Sequence, residues 1–397
     1  MDILERFKKY IAFDTKSDPA SSEYPSVKSE LEFGKILVND LNEIGIDSAY
    51  QDEHGIVYAF IDNKKEKTIG LISHMDTAPT IDGGLKKPRL IEHYEGSDIK
   101  LNDKYTMKVS DFPILKSVIG EDILVTDGEH LMGGDDKAGI AIIFEFAKYF
   151  LLHKDEFNYN LAISFTCDEE IGRGASRFDV KKMKADFAYT LDGESIYEAN
   201  FENFNASEAK VTIYGVGVHP GNAKDIMINS ILLANEFNSL LPKDMIPSKT
   251  EEYQGFIHLD FIKGDVEKTE MEYILRDHDK VLLEEKKEML LKAKKVIESK
   301  YPKAKVEVLI RDEYKNMRDY FIKDMTPIEM INKAYINSKL PIKYTPIRGG
   351  TDGATITYMG LPCPNLGTGD FNPHGRFEFV SVTQMKQMVE ILKELFK

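Results

Sequence analysis

A chain of 397 residues is longer than one hydrophobic core usually supports, so two domains are expected. With 42% hydrophobic and 30% charged residues it has the composition of a globular protein, and a net charge of −15 speaks against nucleic acid or an anionic membrane as partner, since both demand clustered cations. The acidic balance suits a site for divalent metal or a free amine, or is no more than solvated surface. Cys167 and Cys363 are the only cysteines, which leaves no disulfide framework and no thiolate zinc site and makes a reducing cytoplasm the expected compartment.

In chain order, the first element is a helix near residues 1–13, where Ile3, Leu4, Phe7 and Ile11 recur at helical spacing among charged residues. It reads as an amphipathic surface helix and not as a secretory leader. An apolar run at 68–73 predicts a strand, and His74-Met75-Asp76 follows it. Two residues apart in extended chain, His74 and Asp76 share a face, and a carboxylate behind an imidazole fixes its tautomer for metal binding. The same spacing is also common without any function. At 133–139, GGDDKAG precedes a helix predicted over 138–153. Its carboxylates cap that helix, or Asp135 bridges two metals while the glycines let backbone approach closely. The apolar stretch 138–152 is broken by Glu145 and Lys148 and falls short of the roughly 20 residues that cross a bilayer, so no membrane partner is expected.

A strand over 161–166 leads to Asp168-Glu169-Glu170. Three adjacent carboxylates repel, so they form a solvated loop or a site where metal absorbs the charge, one glutamate binding and its neighbour free as a base. Cys167 beside them reads as a small buried apolar residue. A further strand over 187–191 ends at Asp192. Strands alternating with helices predict an α/β fold, a mixed sheet sandwiched by helices, with function at the strand ends.

From 206 to 312 the pattern changes to strand 209–214, helix 226–241, strands 255–262 and 270–276, helix 280–299 and strand 305–311. This is the β-α-β-β-α-β order of a ferredoxin-like module. Candidates lie on both sides of it, so it is expected to be a lid domain inserted into the α/β domain, giving 1–205, 206–312 and 313–397. Within it, His219 precedes the first helix. Beyond it, Arg348 stands beside flexible glycines, where it holds a substrate carboxylate or forms a structural salt bridge, and His374 lies in Asn372-Pro373-His374-Gly375. Two histidines with several carboxylates suit zinc, manganese or cobalt.

The stretches SHMDT (73–77), GGDDKAG (133–139), DEEIG (168–172), YTLDGE (189–194), FENFNA (201–206), HPGNAK (219–224), RGGTDGA (348–354) and LPCPNLGTG (361–369) span nearly the whole chain. In these the chain resembles the tripeptide-aminopeptidase branch of the zinc-dependent exopeptidase family, which also holds carboxypeptidases, dipeptidases and N-acyl amino acid deacylases. FENFNA and RGGTDGA are the stretches more specific to that branch. The resemblance implies one metal on His74, Asp135 and Asp192 and a second on Asp135, Glu170 and His374, most readily two Zn²⁺, with Mn²⁺ or Co²⁺ as alternatives. It further implies Glu169 as general base, Asp76 as the carboxylate orienting His74, His219 as a lid residue at the oxyanion, and a cis peptide between Asp135 and Asp136. Arg348, Arg276 and Asn205 are expected to hold the substrate, a short peptide, most readily a tripeptide losing its N-terminal residue; a homodimer is left open. The chain departs from the expected pattern at Asp370 and Pro373, where a glycine and a non-proline residue are anticipated. The nearest alternative is a deacylase or carboxypeptidase of the same family; a non-catalytic metal-binding protein is disfavoured because every expected ligand and the base are present.

Overall fold

The computed structural model describes all 397 residues, and they form two compact units. The first comprises Met1–Phe201, Met317–Thr345 and Thr351–Lys397; the second comprises Glu202–Asn316 and Pro346–Gly350.

The first unit is built on an eight-stranded sheet. Its strands lie in the order Tyr50–Gln51, Val57–Ile61, Asn160–Thr166, Thr68–His74, Phe187–Gly193, Asn365–Gly367, Glu198–Asn200 and Lys343–Tyr344. The four from Asn160–Thr166 to Asn365–Gly367 run parallel, while Val57–Ile61 and Glu198–Asn200 pair antiparallel, so the sheet is mixed. Asn160–Thr166 and Thr68–His74 are buried at every position, which is why their sequences read as nearly unbroken apolar runs. On one face lies the helix Gly134–Leu152, itself packed against Ile3–Ile11 and Val382–Leu395. On the other, Ala175, Phe178, Met183, Ile356, Leu361 and Cys363 pack onto Tyr58, Ile72, Ala162 and Ala188 of the sheet. The expected helical sandwich is thus present. No helix is long and apolar enough to cross a membrane.

A second, four-stranded antiparallel sheet in the same unit has the order Asp370–Phe371, Phe379–Ser381, Ile123–Val125, Arg89–Ile91. Its core gathers Tyr94, Met107, Leu115, Val118, Ile123, Phe371 and Phe379. This sheet sets the loop holding His374 beside the chain that leaves Ile123–Val125 for Asp135.

In the second unit the strands Phe256–Gly264, Lys268–Asp277, Asn205–Tyr214 and Lys305–Tyr314 lie antiparallel in that order, with the helices Ser230–Ser239 and Lys280–Lys300 completing a ferredoxin-like arrangement. Alternate strand residues such as Ala209, Val211, Ile213, Met271, Tyr273 and Leu275 meet Leu233, Phe237, Leu290 and Ile297 of the helices. The first helix starts four residues later than its apolar pattern suggests, because the Asn229 side chain accepts from the N–H groups of Ile231 and Leu232 and fixes the cap there. The ends of the unit are stapled by amides: Asn203 N–H donates to Asn316 Oδ1 at 3.1 Å, and Asn316 N–H to Asn205 Oδ1 at 3.0 Å. Segment 346–350 joins the unit through the bridge between Asn203 and Ile347.

Candidate metal centre

The register of the parallel strands decides which side chains can meet. His74 lies opposite Thr166, and Ile72 opposite Thr190, so Asp192 and the turn after Thr166 emerge at the same sheet edge as His74. The His74 Nδ1 is 3.0 Å from the main-chain oxygen of Asp76. A carbonyl can only accept, so Nδ1 carries a proton and Nε2 is the nitrogen left to face a proton or a metal. That Nε2 lies 2.8 Å from Asp135 Oδ1 and 3.4 Å from Asp192 Oδ1. His374 Nε2 lies 3.1 Å from the other oxygen of Asp135 and 3.0 Å from Glu170 Oε2. Asp135 therefore turns one oxygen toward each imidazole. Two donor groups result, His74 with Asp135 and Asp192, and Asp135 with Glu170 and His374, the donor atoms of each within 4.8 Å of one another.

A lone pair facing two carboxylate oxygens is unfavourable unless a proton or a cation lies among them. Burial alone would depress His74, yet Asp192, Asp135 and Asp76 raise it well above the usual imidazole range. Hydrogen bonds to Asp135 and Glu170 push His374 up to about 11. Burial, reinforced by Asp135, pushes Glu170 up to about 7, and burial pushes Asp192 up to about 6. Glu170 Oε1 is buried without a hydrogen-bond partner. Both cysteines are buried and free, their thiols pushed up by burial, so the donors are nitrogen and oxygen only. The residues fit a pair of divalent ions of the zinc, manganese or cobalt type.

Asp76 is buried beneath this cluster. Its Oδ1 accepts from the Glu169 N–H at 3.0 Å, and its Oδ2 from the Glu170 N–H at 3.1 Å and the Ser17 hydroxyl at 2.8 Å. Its carbonyl thus holds the imidazole, with the carboxylate 3.4 Å from Nδ1, while the carboxylate holds the backbone carrying Glu169 and Glu170. The peptide between Asp135 and Asp136 is cis, and Asp136 Oδ2 accepts the His74 N–H at 3.1 Å. Gly133 enters the loop at φ +71°, where a side chain would be strained. Gly139 lets the following helix press onto the sheet, since a Cβ there would sit 2.2 Å from Leu191 O. His374 and Asp168 also adopt positive φ without being glycine, a mark of backbone held by its surroundings.

Glu169, His74, Asp192, Thr166, Thr190 and Asp352 line one recess beside the centre. Burial, with Asp192 nearby, raises the Glu169 carboxyl well above its usual range. Asp352, inside RGGTDGA but not singled out from sequence, accepts from the Thr166 hydroxyl and the Ala175 N–H, each at 2.8 Å, and burial pushes it up to about 7. Glu30, Ser17 and Glu378 were equally invisible, and Asp370 stood out only as a departure from the expected pattern. Glu30 Oε2 accepts the Asp168 N–H at 3.0 Å, and Glu378 accepts three N–H groups from the loop before Asp135. The one available signal was position, Glu378 standing four residues after His374.

The expected substrate-holding residues lie in the second unit. His219 is exposed and accepts the Gly221 N–H on Nδ1 at 3.1 Å. Arg348 donates to the carbonyls of Glu252 and Gln254 at 2.7 and 2.9 Å and to the Thr250 hydroxyl at 3.1 Å, its guanidinium over Phe204. Arg276 pairs with Glu313 at 2.9 Å and lies over Tyr314. The Asn205 amide donates to the carbonyls of Asp277 and His278 at 3.3 and 2.9 Å.

The model of the peptidase family M20/M25/M40 matches residues 125–397. Peptidase T of Clostridium perfringens is 47% identical over 399 aligned positions, which cover 100% of this chain and 98% of that protein. Among solved structures, aminopeptidase PepT from Bacillus cereus shares the fold at a TM-score of 0.78 and 18% identity, covering 99% of this chain and 97% of that one. A Bacillus subtilis protein described as a dinuclear metal binding peptidase from the M20 family does so at 0.66 and 14%, covering 99% and 96%. With this match over the full length and the His-Asp-Glu cluster at the strand ends, the chain belongs to peptidase family M20/M25/M40, in its peptidase T group.

Proposed function

We propose that the chain is a dinuclear-metal aminopeptidase that removes the N-terminal residue from short peptides, tripeptides above all. The observation that carries this reading is Asp135, whose two oxygens face two different imidazoles while Asp192 and Glu170 complete the two donor groups. Full-length identity to proteins described as peptidase T supports the substrate class. His74, Asp135 and Asp192 would hold one ion and Asp135, Glu170 and His374 the other, zinc being the first choice. When bound, such a pair polarises the scissile carbonyl and makes water nucleophilic at neutral pH.

Glu169 is the general base of this mechanism. Its carboxylate takes the proton of the attacking water and returns it to the departing amine nitrogen. Asp76 fixes the spacing of base and ligand by binding the N–H groups of both glutamates. From the second unit, His219 is assigned to the oxyanion, and Arg348, Arg276 and Asn205 to the peptide's carboxylate and backbone.

The test compares the parent and Glu169→Gln on tripeptides with free or blocked N-termini, after chelation and with zinc, manganese or cobalt restored. The parent should release the first residue from free-amine peptides only when metal is restored, and Glu169→Gln should retain two ions with turnover lowered at least 1,000-fold, roughly the scale of losing a general base. Cleavage of blocked peptides instead would favour deacylation, and near-parental turnover in Glu169→Gln would remove Glu169 from the role.

A further inference from the structure

We propose that Glu378 is a positioning residue of the metal centre: its carboxylate sets the backbone of residues 132–135, and through it the direction in which Asp135 presents its two oxygens. The inference rests on the metal-centre reading above and adds a residue to it.

Glu378 is fully buried. Its Oε2 accepts the N–H groups of Met132 and Gly133, each at 3.0 Å, and its Oε1 accepts the N–H of Asp135 at 3.2 Å. Those donors open the helix Gly134–Leu152, which has no side-chain cap of its own. A carboxylate from 243 residues away therefore supplies the negative charge that a helix N-terminus favours. The arrangement does more than cap. Asp135 has φ −79°, ψ 101° and Asp136 has φ −122°, ψ 33°, both outside helical values, so the backbone breaks from the helix where the bridging ligand sits. With its N–H turned to Glu378, Asp135 projects its side chain toward both imidazoles.

Glu378 is also fixed within its own segment. Its N–H donates to Gly375 O at 3.1 Å, closing the turn directly after His374, and Phe379 then begins a strand paired with Ile123–Val125. The loop before Asp135 is pressed against the same sheet, since a Cβ on Gly134 would meet Asp370 Oδ1 at 2.2 Å and Val380 at 2.6 Å. Glu378 thus joins the loop of one ligand, Asp135, to the turn of another, His374. Asp76 holds the Glu169–Glu170 backbone in the same way, so the loops of Asp135 and Glu170, two of the three ligands of the second donor group, each hang by N–H groups from a buried carboxylate.

Glu378→Gln preserves volume but puts an amide NH₂ among the three N–H donors, so one of them must lose its acceptor. Zinc titrated against a competing chelator should bind the parent at two ions per chain, and the variant should lose about 10- to 100-fold in affinity for one of them, the range for residues that orient metal ligands. At saturating zinc, kcat should fall while KM stays within about twofold. A variant that binds two zinc ions as tightly as the parent, with only a lower unfolding temperature, would show a purely structural role and overturn the proposal. A parent that binds no zinc pair would overturn the metal-centre reading together with it. Should Glu378→Gln not fold, hydrogen exchange on the zinc-free parent decides: the amides of Met132, Gly133 and Asp135 should be protected before metal is added, and free exchange there would refute a clamp set by Glu378.

Discussion

Single residues around the centre differ in how they announce themselves. His74, Glu169, Glu170 and Asp192 could be read from sequence because each stands at the end of an apolar strand run, where an α/β sheet exposes its chemistry. Glu30 gave no such sign, being one acid among the charged residues of the helix Lys28–Glu43, and only the fold buries it. Burial, reinforced by the Asp76 and Asp168 carboxylates, pushes Glu30 up to about 10, against an ordinary value of 4.5. The folded protein therefore keeps a proton there that the unfolded chain releases. The stability tied to that proton is complete below the ordinary value and is lost as pH rises toward 10. Glu30→Gln, which still offers an oxygen to the Asp168 N–H, should match the parent near pH 4.5 and become progressively more stable than it up to pH 9. Denaturant midpoints measured across this range check the prediction, and a difference that does not grow with pH would show Glu30 to be ionised in the folded protein.

At the scale of elements, the long strands and helices were legible and the short ones were not. Runs such as 68–73 and 161–166 carry the apolar signal of buried parallel strands, and the second unit's helix Lys280–Lys300 keeps helical spacing for 21 residues. The sheet of Arg89–Ile91, Ile123–Val125, Asp370–Phe371 and Phe379–Ser381 has strands of two or three residues, too short for any period, and its central pairing, Phe379–Ser381 with Ile123–Val125, joins positions about 250 residues apart. That sheet carries the His374 loop, so the motif around His374 was visible while its support was not. In the second unit, Lys286 and Asp277 form a buried ion pair that ties the helix Lys280–Lys300 to the end of the strand Lys268–Asp277. Lys286→Ala would leave a buried carboxylate without its cation, at a cost of about 3–5 kcal/mol. Thermal unfolding should show the loss, with the metal-binding capacity of the first unit unchanged; a loss below about 1 kcal/mol would mean that water or another donor replaces the lysine.

For the whole molecule, the chain returns to the first unit twice after leaving it, and the donors of the centre come from positions 74 to 374. A site so dispersed exists only in the folded state, so ions that bind it favour folding by mass action. Removing zinc should lower the unfolding temperature of the parent, by the equivalent of about 4 kcal/mol if free zinc had stood 1,000-fold above its dissociation constant. Calorimetry with and without chelator measures this, and coincident curves would mean that the ligand cluster forms no tight site. Fold class was legible at this scale because composition and alternation restrict the options. Which amides staple Glu202–Asn316 at its ends was not, because asparagine reads equally well as loop, cap or surface.

The two cysteines are sealed in the interior and neither faces the donor cluster as a ligand. A centre built wholly of imidazole and carboxylate has no sulfur for peroxide to attack and no thiol for a disulfide to capture. Oxidants that strip metal from thiolate sites by attacking sulfur therefore find no such target among these donors.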